Sequence, residues 1–247
     1  MDGVVKKQAT RVRNIVVVTD RGVRRRELTR TRILTAALGL IDEGGVKGCT
    51  MQALATRLGV TPRALYRHVA DKVDLLRGVA DLVLSDVVLP ESTRPWDDRL
   101  RQLGTEIKRV MDAHPHTVML CGERALAFPG VIPTTDVAIE AVVQAGLPPE
   151  EGIRFGHALY VYTLGFCISA AGSDMRRRDA TGPADLFAGV DTSLVPHAVA
   201  AAGFLRHFAA EGLHTGHEQY LYGLNLLISG LTTMAEGKRA AGSSRGR

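Results

Sequence analysis

A short basic segment carries the side chains best suited to contact a polyanion. The sequence GVTPRALYRHVADK holds Arg63, Arg67 and Lys72 around Tyr66 and His68. An arginine can bind O6 and N7 of guanine with two hydrogen bonds, and the other polar groups can bind phosphate oxygens or a thymine methyl. The segment therefore predicts either a helix that enters the major groove of DNA or an ordinary surface helix.

Two short helices joined by a tight turn would position these side chains. A helix is predicted to start at Thr50 and to stop at Gly59, because apolar residues recur between them at helical spacing. Thr61 is predicted to cap the next helix, with Pro62 at the first position, where its missing N–H costs nothing. The free N–H groups of that N-terminus favour a phosphate. This pattern is typical of a helix-turn-helix, although other helical hairpins share it.

The remaining chain is also predicted to be helical. Thr29 caps a first helix that ends at Gly44-Gly45, and a fourth helix runs from Asp71 to about residue 88. Beyond Pro95 no stretch alternates as a strand would. The predicted helices there are about 96–113, 117–127, 134–145, 149–172, 196–210 and 217–236.

Three motifs in the first third of the chain have a specific order and spacing. They are AALGLIDEGG, TMQALATRLGV and ALYRHVADKVDLL, all within residues 28–88. This stretch, about a quarter of the chain, resembles the N-terminal domain of the tetracycline-repressor (TetR) family. LYRHV followed by DK is most similar to the tetracycline-repressor subclass, and YTLGFC at 162–167 is similar to the eighth helix of that subclass.

The resemblance implies an all-α protein with two domains. We expect a three-helix helix-turn-helix DNA-binding domain over 28–76 and a larger helical ligand-binding and dimerisation domain over 77–237. A basic flexible arm is predicted over 1–27 and a disordered tail over 238–247.

The resemblance also implies which residues contact an operator. The positions at which the family reads bases carry Gln52, Thr61, Pro62, Arg63, Ala64 and Tyr66. The positions at which it holds the DNA backbone carry Thr50, His68 and Lys72. The tetracycline repressor has an arginine in place of Gln52 and a threonine in place of Ala64, so the target sequence is expected to differ. Lys72 could equally be a solvated charge at a helix start.

Positive charge is concentrated in the arm. Residues 1–30 carry nine Lys and Arg against three Asp and Glu, whereas residues 77–247 carry sixteen against nineteen. The arginines nearest the first helix are Arg21, Arg24, Arg25 and Arg26. Such an arm can enter the minor groove or can merely add non-specific attraction, and both interpretations stay open.

The larger domain is expected to bind a small, largely apolar effector, such as a multi-ring metabolite or drug. The candidate contacts are Met111, His114, Met119, Phe128, Tyr160 and Phe166. The resemblance places a ligand-contacting histidine at His114, although each of these residues could instead serve packing or capping. No counterpart of the family's metal-binding histidine is found, so neither a metal-chelated drug nor any metal or cofactor is expected. We expect the effector between the fourth helix and residues 96–127.

Two predicted helices, 149–172 and 217–236, carry apolar residues on nearly every face. Small residues such as Gly165 and Gly230 would allow another helix to approach closely. The resemblance implies that these helices pair with their two-fold mates in a homodimer, which would bind a palindromic operator. The alternative is that they form only the core of one chain.

Several classes of function are not expected. Cys49, Cys121 and Cys167 lack zinc-site spacing. The early apolar run at residues 15–18 is too short to span a membrane, so a cytoplasmic protein is predicted. Enzyme motifs are not found. The leading prediction is a ligand-responsive transcriptional repressor, and the alternative is a ligand-independent DNA-binding regulator or activator.

Overall fold

The computed structural model describes residues 27–122, 129–177, 187–210 and 216–244. Every regular element within these ranges is a helix, which confirms the all-α prediction. The α-helices are α1 (Arg30–Gly48), α2 (Met51–Leu58), α3 (Pro62–Leu65), α4 (Lys72–Leu84), α5 (Trp96–Ala113), α6 (Val118–Cys121), α7 (Ile132–Gln144), α8 (Pro149–Arg177), α9 (Pro196–Ala200), α10 (Ala202–Ala210) and α11 (His217–Ser244). Short 3₁₀ turns lie at Pro115–Thr117, Pro129–Val131 and Thr192–Leu194.

Side-chain caps determine where the N-terminal helices start. The Thr29 hydroxyl accepts a hydrogen bond from the Arg32 N–H, and the Thr50 hydroxyl accepts one from the Ala53 N–H. The Asp71 carboxylate accepts from the Asp74 N–H at 2.7 Å. Each cap satisfies an N–H that the first helical turn leaves without a partner.

Two apolar cores share one helix. The head core is built from α1, α2, the α3 region and the first half of α4, including Leu75 and Val79. The body core takes Ala80, Val83 and Leu84 from the second half of α4 and packs them with α5, α7, α8 and α11. The expected domain boundary after residue 76 therefore falls inside α4, which is one continuous helix. A tilt of α4 would move side chains in both cores.

Several helix boundaries differ from the sequence prediction. The helix expected over 117–127 is a 3₁₀ turn followed by the short α6, and residues 123–127 lie outside the described ranges. The helix expected over 196–210 is interrupted at Ala201, which has a ψ of 5°. The fourth helix ends at Leu84 rather than near residue 88.

The two long helices of the body extend beyond their predicted ends. α8 continues to Arg177, and α11 continues to Ser244, so residues 238–244 are helical rather than a disordered tail. The first four residues of this segment, 238–241, are lysine, arginine and two alanines, which are good helix formers. The Arg239 guanidinium also donates to the Ala145 carbonyl at 3.1 Å.

An arginine clamp ties three segments of the head together. The Arg30 guanidinium donates to both carboxylate oxygens of Asp74, at 2.7 and 3.0 Å, and to the His68 carbonyl at 2.8 Å. The Ala70 N–H donates to the same carboxylate at 2.9 Å. Hydrogen bonds from Arg30 and then from Ala70 lower the pKa of Asp74 from 3.8 to about 2. The clamp joins the start of α1 to the turn after α3 and to the first turn of α4.

We expect Asp74→Asn to destabilise the protein by about 1 kcal/mol at neutral pH, a modest loss because solvent partly screens the exposed pair. The folded pKa of Asp74, about 2, lies below its ordinary value of 3.8, so this stabilisation is present above the ordinary value and is lost as the pH falls through about 2. The stability difference between parent and variant should therefore shrink on acidification. Urea unfolding between about pH 6 and about pH 3 measures it.

Asp136→Asn is the matched control, because Asp136 is an exposed aspartate of α7 outside the clamp. An equal loss in both variants, or a difference that does not change with pH, would contradict the role given to the clamp.

Candidate nucleic-acid interface and effector cleft

The turn between α2 and α3 orients the basic segment. Gly59 ends α2 with a φ of 66°, a left-handed conformation that glycine adopts without strain. The Val60 N–H then donates to the Ala55 carbonyl at 3.0 Å, which closes the turn. The chain leaves α2 at this point and presents α3 on the surface of the head.

α3 is only four residues long, shorter than expected. The His68 and Val69 N–H groups still donate to the Leu65 carbonyl, so helical hydrogen bonding continues irregularly to Val69. Leu65 and Val69 are buried in the head core and anchor the segment from inside. The predicted side-chain cap from Thr61 is not formed, and its hydroxyl makes no cap hydrogen bond.

Most of the predicted DNA-contacting residues in the head are exposed. Arg63, Arg67 and Lys72 are exposed, and Tyr66 has 52% of its surface exposed. We call the exposed side chains of Thr50, Gln52, Thr61, Arg63, Tyr66, Arg67 and Lys72 the basic face. Pro62, Ala64 and His68 are half-buried beside it. The basic face combines positive charge, hydroxyls, an amide and one aromatic ring, which are the groups that bind phosphates and base edges.

Two other features of this surface were not apparent from the sequence. Arg30 is held by Asp74 and so is not a free cation for a phosphate. Lys47 is exposed three residues before the start of the basic face and adds a further positive charge. Arg21, Arg24, Arg25 and Arg26 lie outside the described residues, and their contact with DNA stays a prediction.

The candidate effector residues are not brought together. Met111 is fully buried in the body core, whereas Met119 has 66% of its surface exposed. The centroids of the Phe166 and Tyr220 rings are 5.3 Å apart. The Lys108 ammonium lies 5.5 Å from the centroid of the Phe166 ring. Phe128 is outside the described residues. A methionine or phenylalanine suits a core and a ligand site equally. Contact of these residues with an effector stays a prediction.

His114 contacts the head instead of a ligand site. Its Nδ1 atom lies 3.0 Å from a carboxylate oxygen of Asp42, which belongs to α1. The Thr117 hydroxyl donates to the His114 carbonyl at 2.8 Å and fixes the corner after α5. His114 is therefore a link between body and head, and the prediction that it faces an effector is not supported by this geometry.

A cleft between α5, α7 and α8 is a concave site that the described residues form in the body. It encloses about 420 Å³, including the part open to solvent. Tyr160, one of the predicted effector residues, lines it, and Leu103, Ile107 and Ala138 form apolar walls. Leu103 and Ile107 of the cleft belong to residues 96–127, but none of the described residues that line it belongs to α4. An effector between α4 and residues 96–127 stays a prediction. Its polar groups are Thr134, Thr135, His157 and Tyr160.

Two neighbouring helices present an apolar surface to solvent. Val161 and Ile168 of α8 are exposed, as are Tyr222, Leu226 and Met234 of α11. A Cβ added at Gly165 or Gly230 would meet no atom within 4 Å. In contrast, a Cβ at Gly223 would lie 2.3 Å from the Tyr162 hydroxyl, so that glycine serves packing within the chain. We call this surface the α8–α11 face.

The described residues offer little reactive chemistry. They contain no group of three His, Cys, Asp or Glu side chains that could hold a metal ion. Burial raises the pKa of both Cys121 and Cys167 to about 12, so neither thiol ionises readily. No helix in the described ranges is long and apolar enough to cross a membrane.

Two family models together match most of the chain. Residues 33–79 match the model described as bacterial regulatory proteins, tetR family. Residues 89–235 match the model described as tetracyclin repressor-like, C-terminal domain. The first match contains the basic face from Thr50 to Lys72, and the second contains the cleft and the α8–α11 face.

The sequence is also similar to individual regulators. An HTH-type transcriptional regulator of Saccharopolyspora erythraea is 33% identical over 156 residues, 63% of this chain and 65% of that protein. The class D tetracycline repressor protein of Escherichia coli is 34% identical over 87 residues, 34% of this chain and 40% of that protein. The matched parts therefore span less than two thirds of either relative.

Solved structures share the fold. Apo ActR of Streptomyces coelicolor superposes with a TM-score of 0.66 and 25% identity, covering 85% of this chain and 98% of that chain. The complex of ActR with (S)-DNPA gives a TM-score of 0.67 at 23% identity, covering 85% of this chain and 99% of that chain. The helix-turn-helix head and the helical body thus have the same fold as the ActR chain.

Proposed function

Because the chain belongs to the TetR family of bacterial transcriptional regulators, we propose that it is a ligand-responsive repressor. In this proposal it acts in the cytoplasm as a homodimer, binds a palindromic operator and is released by a small, largely apolar effector. The relatives reported above are named as regulators rather than enzymes, which agrees with a binding function.

The observation that carries the proposal is the basic face on a firmly anchored recognition segment. Leu65 and Val69 are buried, so the exposed side chains between and beside them have a defined orientation. Arg63 lies in the first turn of α3, the position from which recognition helices usually contact bases. A guanidinium there can bind one guanine in the major groove.

We expect Arg63→Ala to weaken operator binding by about 1–3 kcal/mol and to relax preference at one base pair, because one bidentate base contact is lost. Fluorescence anisotropy with the operator duplex and its single-base variants measures both effects.

Arg94→Ala is the control for total charge, since Arg94 is exposed in the segment between α4 and α5. The assignment fails if Arg63→Ala binds like the parent, or if Arg94→Ala loses as much affinity.

The homodimer is proposed to form through the α8–α11 face. Exposed apolar side chains that cluster on a protein surface commonly mark an interface. The open space above Gly165 and Gly230 lets a second helix pair approach closely. Two-fold pairing would present two basic faces to half-sites one helical turn apart, about 34–36 Å, or somewhat more.

We expect Leu226→Asp to shift the protein to monomer and to weaken operator binding, because it buries an unpaired carboxylate in the interface. Leu226 is 58% exposed in the single chain, so the substitution should leave the monomer folded. Light scattering at micromolar concentration and circular dichroism measure the two effects.

Val143→Asp is the matched control, because Val143 is a 45% exposed apolar residue of α7. A dimer that survives Leu226→Asp, or one that Val143→Asp disrupts equally, would contradict the proposed interface.

The cleft is proposed to act on the head through α4. Val131 lines the cleft, and the preceding Gly130 N–H donates to the Asp81 carboxylate of α4 at 2.7 Å. A Cβ at Gly130 would lie 2.9 Å from the Asp81 carbonyl oxygen, so this turn sits directly against α4. An effector that displaces the turn must therefore tilt α4 or break this hydrogen bond.

A tilt of α4 would change the separation of the two heads. Lys72 is the first residue of α4, and the groove accepts the two recognition segments at only one spacing. An effector releases the operator only if it binds the tilted form more tightly than the DNA-bound form.

We expect Asp81→Ala to retain operator binding but to need more effector for release, because the turn can then move without α4. The measurement uses a compound first selected from a library by its release of the operator from the parent protein. Asp86→Ala removes an exposed aspartate just beyond α4 and is the control. Equal release of parent and Asp81→Ala would remove this bond from the mechanism.

A ligand-independent regulator or activator is the alternative. It shares the basic face but makes no use of the cleft, so operator binding would respond to no compound that occupies the cleft.

A further inference from the structure

Three of the residues that line the cleft carry hydroxyl groups, and each of these hydroxyls donates to a backbone carbonyl. Thr134 and Thr135 donate to the Val131 carbonyl at 2.7 and 3.0 Å. Tyr160 donates to the Cys121 carbonyl at 2.7 Å. A hydroxyl has one hydrogen and two lone pairs, so these three groups can only accept hydrogen bonds from a molecule in the cleft.

The described lining of the cleft carries no Lys, Arg, Asp or Glu. A carboxylate or phosphate would therefore lose its hydration without gaining a cation, which is costly. A charged amine would equally lack a carboxylate partner. Among the described lining residues, His157 alone could both donate and accept through its ring.

The start of α7 borders the cleft and could in principle attract an anion. Its capacity to donate is reduced by three features. The 3₁₀ turn at Pro129–Val131 runs directly into α7 and uses N–H groups there, and Pro133 has no N–H. The Gly130 N–H is already bound to Asp81. The cleft as a whole is therefore richer in acceptors than in donors.

The space at the cleft, about 420 Å³, includes a part that is open to solvent. α7 and α8 approach each other closely at Gly156, because a Cβ there would lie 3.2 Å from the Ala138 Cβ. An occupant would therefore lie partly in solvent, with its apolar part against aliphatic side chains such as Leu103 and Ile107.

We propose that the cleft binds a neutral, mainly apolar molecule that donates hydrogen bonds to the oxygens of Thr134, Thr135 and Tyr160. Phenols and hydroxylated ring compounds have this chemistry, whereas carboxylates, phosphates and purely acceptor compounds do not. The inference rests on the proposed function only in taking the cleft as the effector site.

The test compares three probes of the same ring system: 2-naphthol, 2-methoxynaphthalene and 2-naphthoate. Each is titrated into the full chain without DNA at about pH 8, where free histidine side chains are uncharged, and binding is followed by calorimetry or NMR. We expect 2-naphthol to bind about 3- to 10-fold more tightly than its methyl ether, the value of one neutral hydrogen bond. We expect 2-naphthoate to bind more weakly than either.

Thr135→Val tests the role of the oxygens. It should reduce the preference for 2-naphthol over the ether while leaving the binding of the ether nearly unchanged. Thr105→Val is its control, because the Thr105 hydroxyl also donates to the carbonyl four residues earlier but lies on α5 outside the cleft. Thr105→Val should keep the preference of the parent.

The proposal is overturned if no probe binds saturably, if the ether or the naphthoate binds as tightly as 2-naphthol, or if Thr135→Val keeps the preference. Operator release is measured separately, with Ile153→Trp to obstruct the cleft at the exposed Ile153. If a library compound still releases the operator from the Ile153→Trp variant, the effector binds elsewhere. That result would overturn this inference but not the repressor proposal. If the three probes bind in the predicted order but no compound releases the operator, the inference is supported and the repressor proposal is refuted.

Discussion

The geometry of the head depends on the hydrogen bonds that the Arg30 guanidinium makes to Asp74 and to the His68 carbonyl. α3 has only four residues and cannot be stable through its own hydrogen bonds. It is held from inside by Leu65 and Val69, and from the side by Arg30, which binds the His68 carbonyl and Asp74 together. The basic face keeps its shape because Arg30 and Asp74 belong to α1 and α4, which are longer and packed.

α4 connects the head to the body. Its first half is packed in the head core and its second half in the body core, and Asp81 binds the turn that borders the cleft. The contact of His114 with Asp42 is a second, independent link between the two parts. Packed helices shift as units rather than deform continuously, so a change at the cleft can reach the basic face over a long distance.

Local sequence signals were sufficient for much of the fold. The caps at Thr29 and Thr50, the stop at Gly59 and the bounds of α5 follow from short-range patterns and match the structure. Boundaries failed where such signals were weak, as at the break after α9, or where tertiary contacts extended a helix, as at Arg239 of α11.

Pairings between distant residues could not be predicted in the same way. Arg30 and Asp74 are 44 residues apart, and Asp42 and His114 are 72 residues apart. Nothing in the residue types separates a histidine that pairs with an aspartate from one that binds a ligand. The effector residues could not be assigned from residue type for the same reason, because methionine and tyrosine both suit an apolar environment. Met111 is fully buried in the core, whereas Tyr160 belongs to the core and also lines the cleft.

The most direct test of the account is selection of bound duplexes from a random-sequence library, followed by footprinting of the enriched site. A dimeric repressor with two basic faces predicts a two-fold symmetric sequence, protected over two half-sites about one helical turn apart or somewhat more. Enrichment of an asymmetric site, or no enrichment above non-specific binding at physiological salt, would contradict the account.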